Sequence, residues 1–397
     1  MENTIPPAGE DRSGEERESP LAPTRSGRAG LRSRVARAAR PPRRVLDGVL
    51  LLDKPIGLSS HDALLRVKGM LRAKKAGHTG TLDPLASGLL PLCFGEATKF
   101  SQDLLDADKY YEATMRLGER SDTGDAEGAI VETRAVTCDL AAVDAVIARF
   151  RGDIEQVPPM YSAIKRDGKP LYEYARAGQT VERDARRVTI HALERLSDAD
   201  ELAATQQVRV RVHCSKGTYI RTLAEDIGEA LGCGAHLRAL RRTRVGALLL
   251  DQAVTLQTLQ DLLEGDGQAA QAPAPEGAAP DAGDMSVAVA GFVPALDPGD
   301  LLQPIDALLS RYPAVLLTAE LAVRFRHGQR LRLDAQTAMR WPCASAINGT
   351  DSASPPNPAT DDIGRVRVYG PDDRLLGTAL LVTGRLAPER LVGTDAA

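Results

Sequence analysis

The sequence lacks the features of several special classes of protein. It has no apolar run approaching the roughly 18 to 20 residues that cross a bilayer, and its N-terminus has no short apolar core of a secretory signal. No two cysteines form a C-x-x-C pair, so neither a disulfide framework nor a zinc knuckle is indicated. We expect a cytoplasmic protein with reduced thiols. The five scattered cysteines are Cys93, Cys138, Cys214, Cys233 and Cys343.

Two stretches of the chain contain charges of only one sign. The small net charge of −4 does not reveal this segregation. No lysine or arginine occurs between Val245 and Ser310, which contain ten acidic residues, and no acid occurs between Arg25 and Arg44, which contain eight arginines. The rest is ordinary: 43% of the residues are hydrophobic and 26% are charged, as in a protein with a packed core. A length of 397 residues favours two domains.

Composition divides the chain into four segments. Residues 1–44 are rich in Pro, Gly, Ser and Arg and predict a disordered basic arm, either a solvated tail or a helper that holds nucleic-acid phosphates. Residues 45–262 form the larger folded domain, and residues 263–300 an acidic linker. Residues 301–397 form a small β-rich domain with a proline-rich insertion at 344–362.

Apolar periodicity predicts both strands and helices. They mix without a regular βαβ repeat, so the predicted fold class is α+β rather than a doubly wound sheet. The predicted strands are Val49–Leu52, Gln207–Cys214, Arg365–Tyr369 and Leu375–Val382. The predicted helices run from Ser59 or Ser60 to about Ala73, from Leu140 to Phe150 with Gly152 as the C-terminal cap, from Thr218 to Leu231, and from Thr318 to Phe325.

A loop of turn-forming residues from Gly77 to Gly88 surrounds one carboxylate, that of Asp83. The loop is not a phosphate-binding P-loop, because no Gly-Lys-Ser/Thr follows its glycines. Such a loop can present a side chain at a cleft. By pattern alone, an Asp before Pro84 is nevertheless more typical of a turn or an N-cap than of a catalyst.

Four ordered segments resemble the bacterial tRNA pseudouridine synthase B family: Gly48–Pro55, the Gly77–Gly88 loop, Asp108–Tyr111 with Arg116–Gly118, and Cys214–Thr222. The resemblance is strong over residues 45–250 and weak over 310–395, and the arm, linker and insertion depart from the family's usual pattern. It implies a pseudouridine-synthase catalytic domain with a mixed, mainly antiparallel sheet. It also implies a PUA-like RNA-binding domain at the C-terminus.

By this resemblance three residues carry the chemistry. Asp83 is the nucleophile or base, which suits a carboxylate ionised at neutral pH. Arg221 pairs with it, fixes its rotamer and keeps its pKa low; the alternative for Arg221 is a phosphate or surface arginine. Tyr111 stacks on the target base, and the adjacent Tyr110 is a built-in comparison.

The resemblance also implies residues that line the active site, namely Lys54, His78, Tyr219 and Leu240, each of which could instead be ordinary packing. His78 is placed to fill the position of a base that has left its stack.

The basic segment 160–187 resembles a mobile insertion that closes over RNA, in which Lys165, Arg166 and Lys169 contact phosphates. A second basic cluster follows in the sequence, and either cluster could be a solvated face. Its members are Arg238, Arg241, Arg242 and Arg244.

No metal and no cofactor are predicted. Asp122, Asp125 and Glu127 fail the EF-hand spacing, and we interpret them as a loop of solvated acids.

The predicted function is the isomerisation of uridine to pseudouridine in the T-loop of tRNA, at tRNA position 55. The expected enzyme is a monomer that binds the T-arm stem-loop of tRNA and no membrane. One alternative is a noncatalytic tRNA-binding or folding factor, because Gly77-x-x-Gly80 is superficially similar to the clamp of KH domains. Another is a hydrolase with an aspartate nucleophile, which has no need of the basic segments.

Overall fold

Two β-sheets organise the residues that the computed structural model describes, which are 42–264, 297–341 and 357–393. In chain order the strands are β1 (Gly48–Lys54), β2 (Ala76–His78), β3 (Ala86–Phe94), β4 (Lys109–Leu117), β5 (Glu119–Ser121), β6 (Ile130–Thr133), β7 (Gly152–Gln156), β8 (Lys165–Arg166), β9 (Lys169–Pro170), β10 (Arg186–Arg195), β11 (Gln207–Cys214), β12 (Ala235–Val245), β13 (Leu248–Leu249), β14 (Ala314–Leu316), β15 (Leu331–Arg332), β16 (Met339–Arg340), β17 (Gly364–Tyr369), β18 (Leu375–Val382) and β19 (Arg385–Leu391). The helices are α1 (Ser60–Met70), α2 (Ser101–Leu105), α3 (Leu140–Arg149), α4 (Leu171–Arg176), α5 (Ala199–Thr205), α6 (Ile220–Ala230), α7 (Leu256–Glu264) and α8 (Ala319–Arg326).

The first sheet contains nine strands in the order β1-β3-β12-β4-β11-β10-β7, with β2 paired to β3 and β13 to β12. Its pairs are antiparallel except for β12 with β3, which run parallel where Leu240 lies opposite Ala86. The predicted α+β class with a mixed, mainly antiparallel sheet is therefore confirmed.

The second sheet has six strands in the order β15-β19-β18-β17-β14-β16, and the helix α8 packs against it. Its core includes Phe325 from α8 and Val366 and Leu381 from the strands, all fully buried. The C-terminal part is thus β-rich, as expected.

One face of the first sheet buries the apolar stripes of α1, α3 and α6. Leu64, Val143 and Leu223 represent these helices, and Met115 and Val212 face them from β4 and β11. Complete burial of one such side chain contributes roughly 1.5 to 3 kcal/mol, so this layer supplies a rigid support for the loops at the strand ends.

The four predicted helices are present, but their ends differ by a few residues: α6 begins at Ile220 rather than Thr218, and α8 ends at Arg326 rather than Phe325. Ser59 caps α1 by accepting a hydrogen bond from the backbone N–H of Asp62. The helix ends at Met70 rather than near Ala73, because Arg72 adopts a φ of 53°. The prediction that Gly152 caps α3 is wrong: Phe150 is the cap, and Gly152 opens β7 with a φ of 85°.

Residues just beyond the predicted domain boundary at 301 pack against the first sheet. Gln303 and Val49 exchange two backbone hydrogen bonds, of 2.8 and 2.9 Å, and Leu309 packs in a core with Val49. Tyr312 and Arg365, farther along the chain, donate hydrogen bonds to the carboxylate of Asp103 in α2. This carboxylate is almost fully buried. The predicted arm up to residue 41, linker residues 265–296 and insertion residues 342–356 lie outside the described residues.

The four cysteines within the described residues are free. Among the same residues, no helix has both the length and the apolarity to cross a membrane.

Candidate active site

The Gly77–Gly88 loop is held by buried polar contacts on two sides. The hydroxyl of Ser60 donates to the carbonyl of Leu82 and accepts from its N–H, at 2.9 and 2.8 Å. The guanidinium of Arg242 donates to the carbonyl of Gly80 at 3.0 Å, and Gly80 has a φ of 72°, which favours glycine. Asp83 is therefore presented by a fixed loop.

Arg221 joins that loop to a second acidic segment. It lies in the first turn of α6, is 6% exposed, and places its Nη2 3.0 Å from Oδ2 of Asp83. Its Nη1 lies 3.4 Å from Oδ2 of Asp125, which is 4% exposed. The same guanidinium donates to the backbone carbonyls of Thr123 and Tyr161. The sequence-predicted pairing of Arg221 with Asp83 is present in the structure, and Arg221 is not a surface arginine.

Asp125 is a site residue that the sequence analysis missed. The prediction of a solvated acidic loop is wrong for this residue, because its carboxylate is buried against Arg221. The Thr123 hydroxyl and the Glu127 N–H also donate to it, at 2.6 and 3.1 Å. No local spacing signals this role, since Asp125 and Arg221 meet only through the fold.

The net shift of the Asp83 pKa also differs from the expectation. Burial raises the pKa of the Asp83 carboxyl, and the positive charge of Arg221 lowers it; the negative charge of Asp125 adds to the increase. The net effect is an increase, so Arg221 does not keep this pKa low. A carboxylate with a raised pKa that is still 44% exposed is both accessible and more basic than usual.

Tyr111 lies beside this group on β4 and is 9% exposed. Its hydroxyl is hydrogen-bonded by the guanidinium of Arg242, and burial raises its pKa. Arg242 is 1% exposed and also donates to the carbonyl of Leu89 at 2.8 Å. The ring of Tyr111 is therefore fixed from both the core and its hydroxyl end.

These groups surround a cleft of about 350 Å³. Of the residues predicted to line the active site, Tyr219 and Leu240 line this cleft together with Asp83, Tyr111 and Arg221. Tyr219 also precedes α6, where Gln156 bonds both its backbone N–H and its carbonyl. The sequence analysis did not assign to the site several other lining residues, which include Lys109, Tyr161, Ser162, Thr218 and Arg242.

Lys54 and His78 are not among the residues that line the cleft. Lys54 is fully buried, donates to the carbonyls of Pro55 and Leu58, and has its pKa lowered by burial to about 8. His78 is half-buried in β2, and burial also lowers its pKa.

Lys165, Arg166 and Lys169 lie away from the cleft, on the hairpin of β8 and β9. Lys165 and Arg166 are exposed, and the ammonium of Lys169 lies 4.7 Å from the ring centroid of Tyr174. Among the described residues none of the three forms an ion pair. Tyr161, Ser162 and Ala163, at the start of the same segment, do line the cleft.

The prediction of a second basic cluster is wrong for Arg242, which is buried and faces the cleft. Of its neighbours, Arg241 is neutralised by Asp53 at 2.7 Å, whereas Arg244 keeps its charge and places its guanidinium 4.9 Å from the ring centroid of Tyr110. Bulges in β12 between Leu237 and Ala239 and between Arg242 and Arg244 explain the separation, because each bulge changes the face to which the following residues point.

A larger cavity of about 590 Å³ lies elsewhere, lined in part by Asp306, Arg326 and Asp373. None of the predicted site residues lines it. Of the two, the smaller cleft is the candidate active site. Unlike the larger cavity, it combines an accessible carboxylate, a buried arginine paired with that carboxylate and a fixed aromatic ring. Such a set can supply a nucleophile or a proton acceptor, stabilise the charge of that group and pack against a planar nucleobase.

Family models match most of the folded chain. The model of the TruB family pseudouridylate synthase N-terminal domain matches residues 68–220, which include Asp83 and Tyr111. A model of the tRNA pseudouridylate synthase B C-terminal domain matches residues 221–310, and one of the pseudouridine synthase II TruB C-terminal region matches residues 353–392.

Curated relatives agree with these matches. The chain is 59% identical over 362 residues to the tRNA pseudouridine synthase B of Burkholderia mallei, covering 91% of this chain and 99% of the relative. It is 57% identical over 361 residues to that of Cupriavidus metallidurans, covering 91% and 98%.

Among solved structures, the fold is similar to a chain of a Cbf5–Nop10–Gar1 complex, with a TM-score of 0.60, 25% identity and coverage of 88% of this chain and 87% of the other. It is also similar to a chain of an H/ACA RNP bound to a substrate RNA containing 2'-deoxyuridine, with a TM-score of 0.57, 24% identity and coverage of 89% and 87%.

Proposed function

The chain belongs to the TruB family of pseudouridylate synthases, and on that premise we propose that it acts on the T-loop of tRNA, at tRNA position 55. Its reaction is the isomerisation of uridine to pseudouridine in tRNA. That reaction breaks the glycosidic C–N bond, turns the freed uracil and rejoins it to the ribose through carbon. We assign the chemistry to the cleft around Asp83.

Asp83 acts in this proposal as the nucleophile or base. The observation that carries the assignment is its ion pair of 3.0 Å with the buried Arg221, which orients an accessible carboxylate at the wall of the cleft. Asp125 and two backbone carbonyls hold Arg221 from the other side, so the guanidinium cannot turn away without leaving buried groups unpaired. Asp125 is thus a positioning residue.

Tyr111 packs in this proposal against the target base. The ring is fixed by the core and by Arg242, so it offers a preformed flat surface at little entropic cost. A base inside a folded stem is inaccessible to such a cleft and must leave its stack first. Exposed tRNA loops provide a base at the lowest cost, which supports the T-loop as the target.

The hairpin of Lys165, Arg166 and Lys169 contacts the tRNA backbone in this proposal. Its cations are available to phosphates because they have no acidic partner among the described residues, and its segment begins at the cleft wall. The proposed enzyme acts as a monomer. A tRNA substrate supports a cytoplasmic location for the reaction.

The test is to incubate the purified chain with unmodified tRNA transcript and to map pseudouridine by position. We expect one new pseudouridine, in the T-loop. The variant Asp83→Asn keeps the shape of the side chain without its charge, so we expect no product and tRNA binding within a few-fold of wild type. The matched control is Asp251→Asn, which changes an exposed acid that does not line the cleft and should leave the rate unchanged.

Product formation by Asp83→Asn near the wild-type rate would remove Asp83 from its role. Modification at another tRNA position would overturn the T-loop assignment, and binding of tRNA without any product would favour the noncatalytic alternative.

A further inference from the structure

Three side chains with metal-binding atoms meet on the first sheet, outside the cleft. They are Asp108, which precedes β4, His191 on β10 and His213 on β11. One ligand atom from each lies within 4.8 Å of the other two. Tyr110 shares this side of the sheet with His213, because the two residues are paired across β4 and β11, whereas Tyr111 faces the core.

A β-bulge brings the second histidine to this side. In the pairing of β10 with β11, Ile190 lies opposite Cys214 and Ala192 opposite His213, so His191 is an extra residue between them. Ile190 and Cys214 are buried in the core, which turns His191 outward, next to His213. Bulges commonly redirect a side chain in this manner, and here the result is two adjacent imidazoles.

The distances fit a shared ion better than direct hydrogen bonds. Nε2 of His191 and Nε2 of His213 each lie 3.4 Å from Oδ2 of Asp108. Hydrogen bonds between such atoms are usually shorter, about 2.7 to 3.2 Å. Ligands bound tetrahedrally to Zn²⁺ at about 2.0 to 2.2 Å lie about 3.3 to 3.6 Å apart, which matches both separations.

We propose that Asp108, His191 and His213 bind one divalent transition-metal ion of the Zn²⁺ class, with solvent as the remaining ligand. Two imidazoles and one carboxylate are a set that such ions prefer. The three side chains are 43, 27 and 19% exposed, so an ion and its water can reach them from solvent.

The surroundings hold the ligands in place. The ring of His213 stacks on Tyr110 at a centroid distance of 3.9 Å. The nearby cation Arg244 lies opposite Tyr110 on β12, on the other side from His213, so the tyrosine separates it from the ion. The ion would tie the start of β4 to β11, and both segments continue into the cleft through Lys109 and Thr218.

The site is independent of the proposed reaction, because none of the three ligand residues lines the cleft. No metal is predicted from local sequence, because the three ligands come from separate segments of the chain and have no recognisable spacing.

The experiment titrates the tag-free, chelator-treated full chain with ZnCl₂ in competition with a zinc indicator. We expect one equivalent bound by the wild type, at least tenfold weaker binding by His191→Ala, and unchanged binding by the matched control His327→Ala, which removes an exposed histidine elsewhere. Co²⁺ serves as a second probe, with the visible absorption of a tetrahedral N/O site expected only where His191 is present.

His213→Ala removes the stack on Tyr110 and is less suitable, so Asp108→Asn provides the second variant. Zn²⁺ should raise the Tm of the wild type and of His327→Ala, and not that of His191→Ala or Asp108→Asn. Failure of the wild type to bind Zn²⁺, or binding that is equal in the wild type and His191→Ala, would overturn the proposal.

Discussion

The two faces of strand β4 carry similar residue types in opposite environments. On the inner face, Tyr111 is 9% exposed and adjoins two buried arginines, Arg221 and Arg242. On the outer face, Glu112 pairs with Arg211 at 3.5 Å, and both side chains are about half exposed. Arginine side chains therefore line the buried cleft on the inner face and are exposed to solvent on the outer face.

The difference shows what burial does to charge. A surface ion pair is screened by water and contributes little, whereas a buried charge without its partner is a costly desolvated group. The buried charged groups of the inner face consequently have several partners each. The exposed ion pairs of the outer face can be replaced with little loss of stability.

Replacement of Arg221 by methionine should have the largest effect. It leaves Asp125 buried without its cation, so we expect the free energy of unfolding to fall by about 3 kcal/mol or more, with loss of isomerisation. Denaturant unfolding measures the first and single-turnover assays the second. Asp125→Asn should cost much less stability in the Arg221→Met background than in the wild type, and equal costs would show that the two residues are not coupled.

The adjacent tyrosines give the second test. Tyr111→Ala removes the fixed ring in the cleft, so we expect the single-turnover rate to fall by about a hundredfold or more. Tyr110→Ala changes a ring on the other face and should stay within a few-fold of wild type. Similar rates for the two variants would contradict the assignment of Tyr111 to the target base.

The cations of the β8–β9 hairpin have no acidic partners among the described residues, so they should affect tRNA binding more than the chemical step. Replacing Lys165, Arg166 and Lys169 together by alanine should weaken tRNA binding. The plot of log affinity against log salt should become shallower by about 0.7 to 0.9 for each phosphate that these cations neutralise in the wild type. The rate at saturating tRNA should largely recover.

A control for this test is Arg209→Ala, because Arg209 already pairs with Glu201 at 2.7 Å. This variant should leave the salt slope nearly unchanged. An unchanged slope with a collapsed rate in the triple variant would instead make the hairpin part of the active-site structure.

The smallest effect should come from the outer face itself. Arg211→Ala removes an exposed residue whose two acidic partners, Glu112 and Glu194, remain solvated. We expect the free energy of unfolding to change by less than about 0.5 kcal/mol. A decrease above about 1 kcal/mol in denaturant unfolding would show that the outer pairs stabilise the fold as strongly as buried groups do.

Local pattern was enough to predict much of the fold. β11 spans Gln207–Cys214 as its alternation indicates, and α3 begins at Leu140 as its apolar periodicity predicts. The resemblance to pseudouridine synthases rests on short motifs within single loops and strands. Predictions that depended on several segments at once, such as the environment of Asp125, were less successful.

By itself the sequence determined several strands, among them β11 and β18, the cap of α1 and the identity of the loop that carries Asp83, because apolar alternation, capping and turn chemistry act over a few neighbouring residues. Only the tertiary structure decided which charges are buried. Bulges in β12 turned Arg242 inward, and a bulge in β10 set His191 beside His213. A shift of one residue exchanges the two faces of a strand, and that register depends on partner strands far away along the chain.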